Sequence, residues 1–165
     1  MELRWNRFDP VGAPRIVQLV NKTNQFNLTT RRTTPDAVAG LIADDTALTL
    51  QLRLLDRFGD NGIIAIIHGH REGAELVIDT WLMSCRVLGR GAEAATLNLV
   101  AAEAARLGAT RLVGEYRPTE KNAMVQDHYP RLGFTPLGDA DGTARWALDL
   151  NRFSPAQVHM RITRT

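Results

Sequence analysis

The chain has 165 residues, 44% of them apolar and 23% charged, enough to bury one sizeable core and ordinary for a globular protein. Twenty basic against 18 acidic residues leave a formal net charge of +2, too weak to argue for nucleic acid but compatible with a local basic pocket for a phosphorylated ligand. One cysteine excludes an intrachain disulfide and any cysteine-rich metal site; no apolar run is long enough for a signal segment or a bilayer span, so a cytoplasmic protein with no metal and no membrane partner is expected.

Residues 1–10 are mixed, with Trp5 and Phe8 as anchors for a short strand or an arm. Pro14 ahead of Ile16, Val17, Leu19 and Val20 predicts a first helix that fades near Asn21. The stretch Asn21 to Arg32 is dense in amides, hydroxyls and cations; it reads either as a solvated loop or as a polar wall facing a substrate. Thr34-Pro35-Asp36 opens a second helix, with Thr34 as N-cap, that buries Val38, Leu41 and Ile42 and ends near Asp44-Asp45.

Ala47 to Leu55 alternates leucines against polar residues and predicts a strand. Ile63 to His68 and Glu75 to Met83 are the next two strands, and the short connections make the three antiparallel neighbours. Ala92 to Leu107 carries helical spacing and stops at Gly108. Arg111 to Tyr116 is a strand whose helical crossover implies parallel pairing with the strand ending near Met83. Thr119 to Leu132 predicts a last helix, and Phe134 to Leu137 with Ala144 to Leu150 a hairpin. The expected architecture is α/β of the α+β kind: one domain over 1–150 around a mixed, mostly antiparallel sheet flanked by helices, with 151–165 as a tail or an added strand.

The chemically suggestive stretch is Cys85-Arg86-Val87-Leu88-Gly89-Arg90-Gly91-Ala92-Glu93, between a strand and a helix. Unpaired amides at a helix start, its dipole, and glycines that admit close approach make an anion site. It follows the third of three antiparallel strands rather than the first strand of a βαβ unit, which argues against a dinucleotide site. Cys85 reads as a nucleophile or, more simply, as a small buried thiol packed beside the loop. His68 and His70 flank a turn and read as surface residues.

With Arg86-Val-Leu-Gly89-Arg-Gly91, then Asn122, Tyr129 and Leu132-Gly133-Phe134, residues 75–135 resemble the GNAT acyltransferases. The resemblance implies splayed strands at a thioester site and a cofactor, acyl-CoA (acetyl-CoA) or a phosphopantetheine thioester. By the same resemblance the backbone amides of Leu88, Gly89, Arg90, Gly91 and Ala92 hold its phosphate, Arg86 and Arg90 add charge, and Ser84 ends the strand that binds the rest of the cofactor. The exposed amides of the strand ending near Ser84 pair with the pantetheine arm, Asn122 bonds an amide of that arm, and Tyr129 protonates the leaving thiolate. Glu115 is the first candidate base and Asp79 the second; either could instead be a structural carboxylate.

Longer stretches, Asn21 to Arg32, Asp56 to Gly62, Asp79 to Gly91 and Gly114-Glu-Tyr, resemble the C-terminal GNAT-like region of FkbH-like proteins, which load carrier proteins in polyketide biosynthesis. The chain lacks their haloacid-dehalogenase nucleophile motif, so only the thioester-binding region carries over. The implied activities are acyl transfer to an amine or hydroxyl on a small molecule or carrier-bound substrate, or catalytically silent binding of CoA, phosphopantetheine or an acyl carrier protein beside a haloacid-dehalogenase-type partner. A structural domain or homodimer is the third possibility.

Overall fold

The computed structural model describes residues 1–165. Its chain order is β1 (Glu2–Asn6), α1 (Ala13–Lys22), α2 (Pro35–Ala43), β2 (Leu48–Asp56), β3 (Gly59–Glu72), β4 (Glu75–Met83), α3 (Ala92–Arg106), β5 (Arg111–Tyr116), α4 (His128–Arg131), β6 (Thr135–Ala140), β7 (Thr143–Asp149) and β8 (Arg161–Arg164). The eight strands form one sheet in the order β6-β7-β5-β4-β3-β2-β1-β8. Only β4 with β5 and β1 with β8 run parallel. The mixed, mostly antiparallel sheet flanked by helices is therefore as expected, and residues 161–164 supply its far edge.

Local chemistry accounts for most helix boundaries. Asp9 accepts from the Gly12 amide (2.6 Å) ahead of α1, and the Thr34 hydroxyl accepts from the Ala37 amide (3.1 Å) at the start of α2. Helix α3 starts after Gly91, whose φ of +79° suits a residue without Cβ. Helices α1 and α2 pack Ile16, Val20 and Val38 on one face of the sheet over Ile66 and Leu82. Helix α3 covers the opposite face, and β2 turns Leu48, Leu50, Leu52 and Leu54 toward that larger core.

The last predicted helix does not form as one piece. A 3-10 turn at Ala123–Val125 and the single turn of α4 replace it. The Thr119 hydroxyl accepts from the Asn122 amide (3.2 Å) and the Asn122 side chain accepts from the Thr119 amide (2.8 Å). These local bonds compete with helix formation, and Pro130 has no amide to continue an α-helical ladder.

One irregularity shapes everything at the centre. On β4, Ile78 pairs with Gly69 and Thr80 with His68, so Asp79 is one residue too many. This β-bulge shifts the alternation: Leu76 and Ile78 face the large core before it, Trp81 and Met83 after it. Gly69 is required there, because a Cβ would stand 2.7 Å from the Val77 carbonyl oxygen. Pairing between β4 and β5 ends at Ile78 with Gly114. Beyond the bulge the two strands separate.

Candidate functional site

The gap between β4 and β5 is filled by the chain itself. The Leu28 amide donates to the Trp81 carbonyl (3.1 Å) and the Met83 amide donates to the Phe26 carbonyl (3.1 Å), while the Arg117 amide donates to the Leu28 carbonyl (2.8 Å). Further along, the Thr29 hydroxyl (2.7 Å) and Arg31 Nη1 (2.9 Å) both donate to the Asp79 carbonyl. Phe26, Asn27, Leu28 and Thr29 are all buried. The middle of the polar stretch is thus not a solvated loop, while its ends, Lys22 to Gln25 and Arg31 with Arg32, wall two pockets. Its backbone takes β4 hydrogen-bonding groups that the resemblance assigned to a pantetheine arm. Thr30 closes it with φ +51°, a strained conformation for a β-branched residue.

Asn122 is fully buried, and it holds this segment. Its Nδ2 donates to the carbonyls of Asn27 and Arg117, both at 3.0 Å. The amide expected to grip a pantetheine therefore grips the chain's own backbone. Tyr129 lies beneath the same segment, 1% exposed, with its ring against Gly114, where a Cβ would stand 2.4 Å from ring carbons. Its hydroxyl, Trp81 Nε1 and His128 Nε2 are buried without a protein hydrogen-bond partner. Burial, with the Glu115 carboxylate nearby, pushes the Tyr129 phenol far above its ordinary value. As placed, Tyr129 is a packed side chain and not an exposed proton donor.

Glu115 is also engaged. Arg31 Nη2 approaches Oε1 at 3.1 Å, and Arg145 binds Oε2 through Nε (3.0 Å) and Nη2 (2.9 Å). With guanidinium groups on both oxygens it ties β5 to the inserted segment and to β7, the structural alternative for this carboxylate.

Asp79 stands differently. The bulge turns it toward a pocket of about 330 Å³ between α1, α2 and the sheet, floored by Phe8, Ile16 and Ile66. Its Oδ2 lies 2.6 Å from His70 Nδ1 and 3.8 Å from His68 Nε2, and its Oδ1 lies 3.5 Å from Arg31 Nη1. Partial burial opposes protonation of His70, but the hydrogen bond and charge of Asp79 outweigh it and raise His70 above its ordinary value. Burial lowers His68 despite the nearby Asp79 charge. Neither histidine behaves as the free surface group expected. The two reach Asp79 because their i, i+2 spacing puts both on one face of β3, next to a bulge that period-two reading does not reveal. No group of three or more His, Cys, Asp or Glu side chains is arranged to hold a metal ion.

The glycine loop lies at the other end of the gap. Cys85–Val87 form a 3-10 turn capped by the Ser84 hydroxyl, which accepts from the Arg86 amide at 3.3 Å. Within it the Leu88 amide donates to the Cys85 carbonyl (3.4 Å) and the Arg90 amide to the Val87 carbonyl (3.3 Å). Gly89 and Gly91 adopt positive φ, and Ala92 is the buried first residue of α3. Two corrections follow. The amides of Leu88 and Arg90 are used inside the loop, and the Arg90 guanidinium is bound to Asp56 (2.9 Å), whose carboxyl it holds low. Leu88, Gly89 and Gly91 line a groove of about 400 Å³ that also carries Glu93 and Asp127; the one cation there, Arg131, is paired with Asp127 at 3.1 Å. Cys85 is exposed and not buried.

The sequence matches no known family model and no curated protein. The fold is that of the GNAT acetyltransferases. It is similar to the GNAT domain of S. lividans PAT, with 21% identity over 88% of this chain and 89% of that one at TM-score 0.67. The ribosomal-protein-S18-alanine N-acetyltransferase from Escherichia coli superposes over 92% of this chain and 96% of its own, with 16% identity and TM-score 0.66. The Salmonella typhimurium protein yncA, solved with acetyl-CoA, matches over 94% of this chain and 98% of its own at 16% identity and TM-score 0.62. No helix of the chain is long and apolar enough to cross a membrane.

Proposed function

We propose that the protein is a GNAT-type acyltransferase that accepts an acyl group from acyl-CoA or a phosphopantetheine thioester and passes it to an amine or hydroxyl. The observation that carries this reading is the bulge at Asp79. It opens β4 from β5 and presents a His-paired carboxylate to an apolar-floored pocket of about 330 Å³. In this reading the pocket takes the acceptor, and Asp79 with His70 receives the proton that the attacking amine or hydroxyl loses. Asp79 thereby ranks ahead of Glu115, whose two oxygens are held by arginines. Tyr129 can protonate the departing thiolate only if the arm enters beneath Phe26–Arg31, so turnover requires that segment to give way.

The test is thiol release by purified protein supplied with acetyl-CoA and a broad panel of amines and alcohols. Release that depends on an acceptor is expected, and none from folded protein across the panel overturns the reading. Tyr129→Phe is expected to slow release by at least about tenfold. The same change removes a buried hydroxyl without a protein partner, so the unfolding free energy should stay within about 1 kcal/mol of wild type or rise. Unchanged release would remove Tyr129 from the chemistry.

A second reading follows from the segment that occupies β4: a domain of an FkbH-like loading system that docks a holo-carrier protein without reacting. Here holo-carrier raises the melting temperature, apo-carrier does not, and no transfer is seen. Equal responses to both carriers would exclude recognition of the arm.

A further inference from the structure

The loop residues divide between two grooves, and the charge lies in only one. Arg86, a member of the glycine loop in sequence, does not line the groove formed by Gly89 and Gly91. It lines a larger neighbouring groove of about 620 Å³ that runs past Ser84 and Cys85 to α1. Four cations border that space, Arg15, Lys22, Arg86 and Lys121, and no acidic side chain does. None of the four forms an ion pair, although a dozen other basic side chains of this chain do. Unpaired like charges lining one concavity give it a positive local potential that favours an anion. The glycine-loop groove is the reverse case, with two carboxylates, its one cation already paired, and two loop amides turned inward.

We propose that the anion site of this domain is the cationic groove bordered by Arg15, Lys22, Arg86 and Lys121, and that its ligand is a phosphate ester with an extended body. The volume far exceeds what a bare phosphate fills, and it lies in the range of small-molecule sites. The four cations take the phosphate. Ile63, Ile64 and Met83 floor the remainder, where Ser84 and the exposed Cys85 thiol meet the body of the ligand. The inference is about where phosphate binds and stands whether or not acyl transfer occurs; the choice of a pantetheine probe rests on the thioester reading above.

Calorimetric titration with 4′-phosphopantetheine and with pantetheine isolates the phosphate. The phosphorylated probe should bind at least about tenfold tighter, and the advantage should shrink as salt is raised. Arg86→Glu with Lys121→Glu should abolish that advantage while circular dichroism and melting temperature hold; both side chains are exposed, so folding is not at stake. Arg131→Glu, in the glycine-loop groove, should leave it intact. Alkylation of Cys85 by iodoacetamide should slow more with the phosphorylated probe than with an equal concentration of pantetheine, whose thiol consumes the same share of reagent. Holo-carrier protein and coenzyme A, titrated in parallel, distinguish a carrier-borne from a free phosphate ester. Equal affinity for the two pantetheines, or a larger loss with Arg131→Glu than with the double variant, overturns the assignment.

Discussion

Replacing Asn122 with alanine is expected to lower the unfolding free energy by about 4 kcal/mol. The side chain is fully buried and donates to two carbonyls, Asn27 and Arg117, while accepting from the Thr119 amide. Alanine deprives all three backbone groups of a partner. A buried group so stranded costs about 1–3 kcal/mol, and water reaches the partly exposed ones. Urea unfolding measures the loss. Asn21→Ala is the control: Asn21 brackets the backbone of Thr33 in the same way (3.0 and 2.9 Å), but on the surface, and its loss should stay within about 1 kcal/mol. Because Asn27 lies in the segment that fills the gap between β4 and β5, Asn122→Ala should also speed hydrogen exchange at Leu28 and Met83. A loss no larger than the Asn21 control would show that Asn122 does not clamp the segment.

The second large effect is loss of stability in acid through His128. Its ring is buried among Phe26, Trp81 and Tyr129, edge-on to Trp81 at 4.5 Å between centroids, with no carboxylate in contact and with Nε2 unpartnered. Burial pushes its folded-state value down to about 3. Its unfolded value is about 6.5. The neutral ring therefore contributes stability that is fully present above the unfolded value. That contribution is lost as pH falls toward the folded value, at roughly 1.4 kcal/mol per pH unit, or about 2.5 kcal/mol by pH 4.5. His70 acts with the opposite sign: its raised value gives stability below about pH 6.5 that fades as pH rises through its folded-state value. His128→Phe, which keeps an aromatic ring in place, should flatten the acid limb of a plot of unfolding free energy against pH between 6.5 and 4.5. An unchanged limb would assign the acid sensitivity to other groups.

Asn122 and His128 both lie in the segment Thr119 to Leu132, which reads most simply as one helix. Thr119 to Leu132 has helical spacing, but the residues that break it, Thr119, Asn122 and Pro130, each act through a partner or a missing amide that spacing does not weigh. The candidate site was legible to a similar, partial degree. Asp79, Asn122 and Tyr129 do gather around one gap, and Gly89 and Gly91 do turn the chain into α3. What the residues do there was not legible. Asn122 bonds to a segment 95 residues away, Arg90 to Asp56 and Glu115 to Arg31 and Arg145. Arg86 turned out to face a different groove from the glycines beside it. Cys85, for which a buried thiol is the simpler of two readings, is exposed.

The division has a physical cause. Caps, turn glycines and apolar periodicity act over a few residues, and they were enough to dictate α1, α2, α3, the antiparallel run β2 to β4 and the parallel return of β5. The same short-range signals place the glycine loop at the start of α3. Three features depended instead on how separate elements meet: the bulge at Asp79 on the register of β4 against β3, and the entry of Phe26–Arg31 beside β4 and the ion pairs that occupy Glu115 and Arg90 on residues far apart in the chain. A bulge follows from the register of two strands against each other. A polar segment becomes buried only where a neighbouring strand offers unpaired amides and carbonyls to satisfy it. A charged side chain at a site is available to a ligand only if no other element of the fold reaches it first.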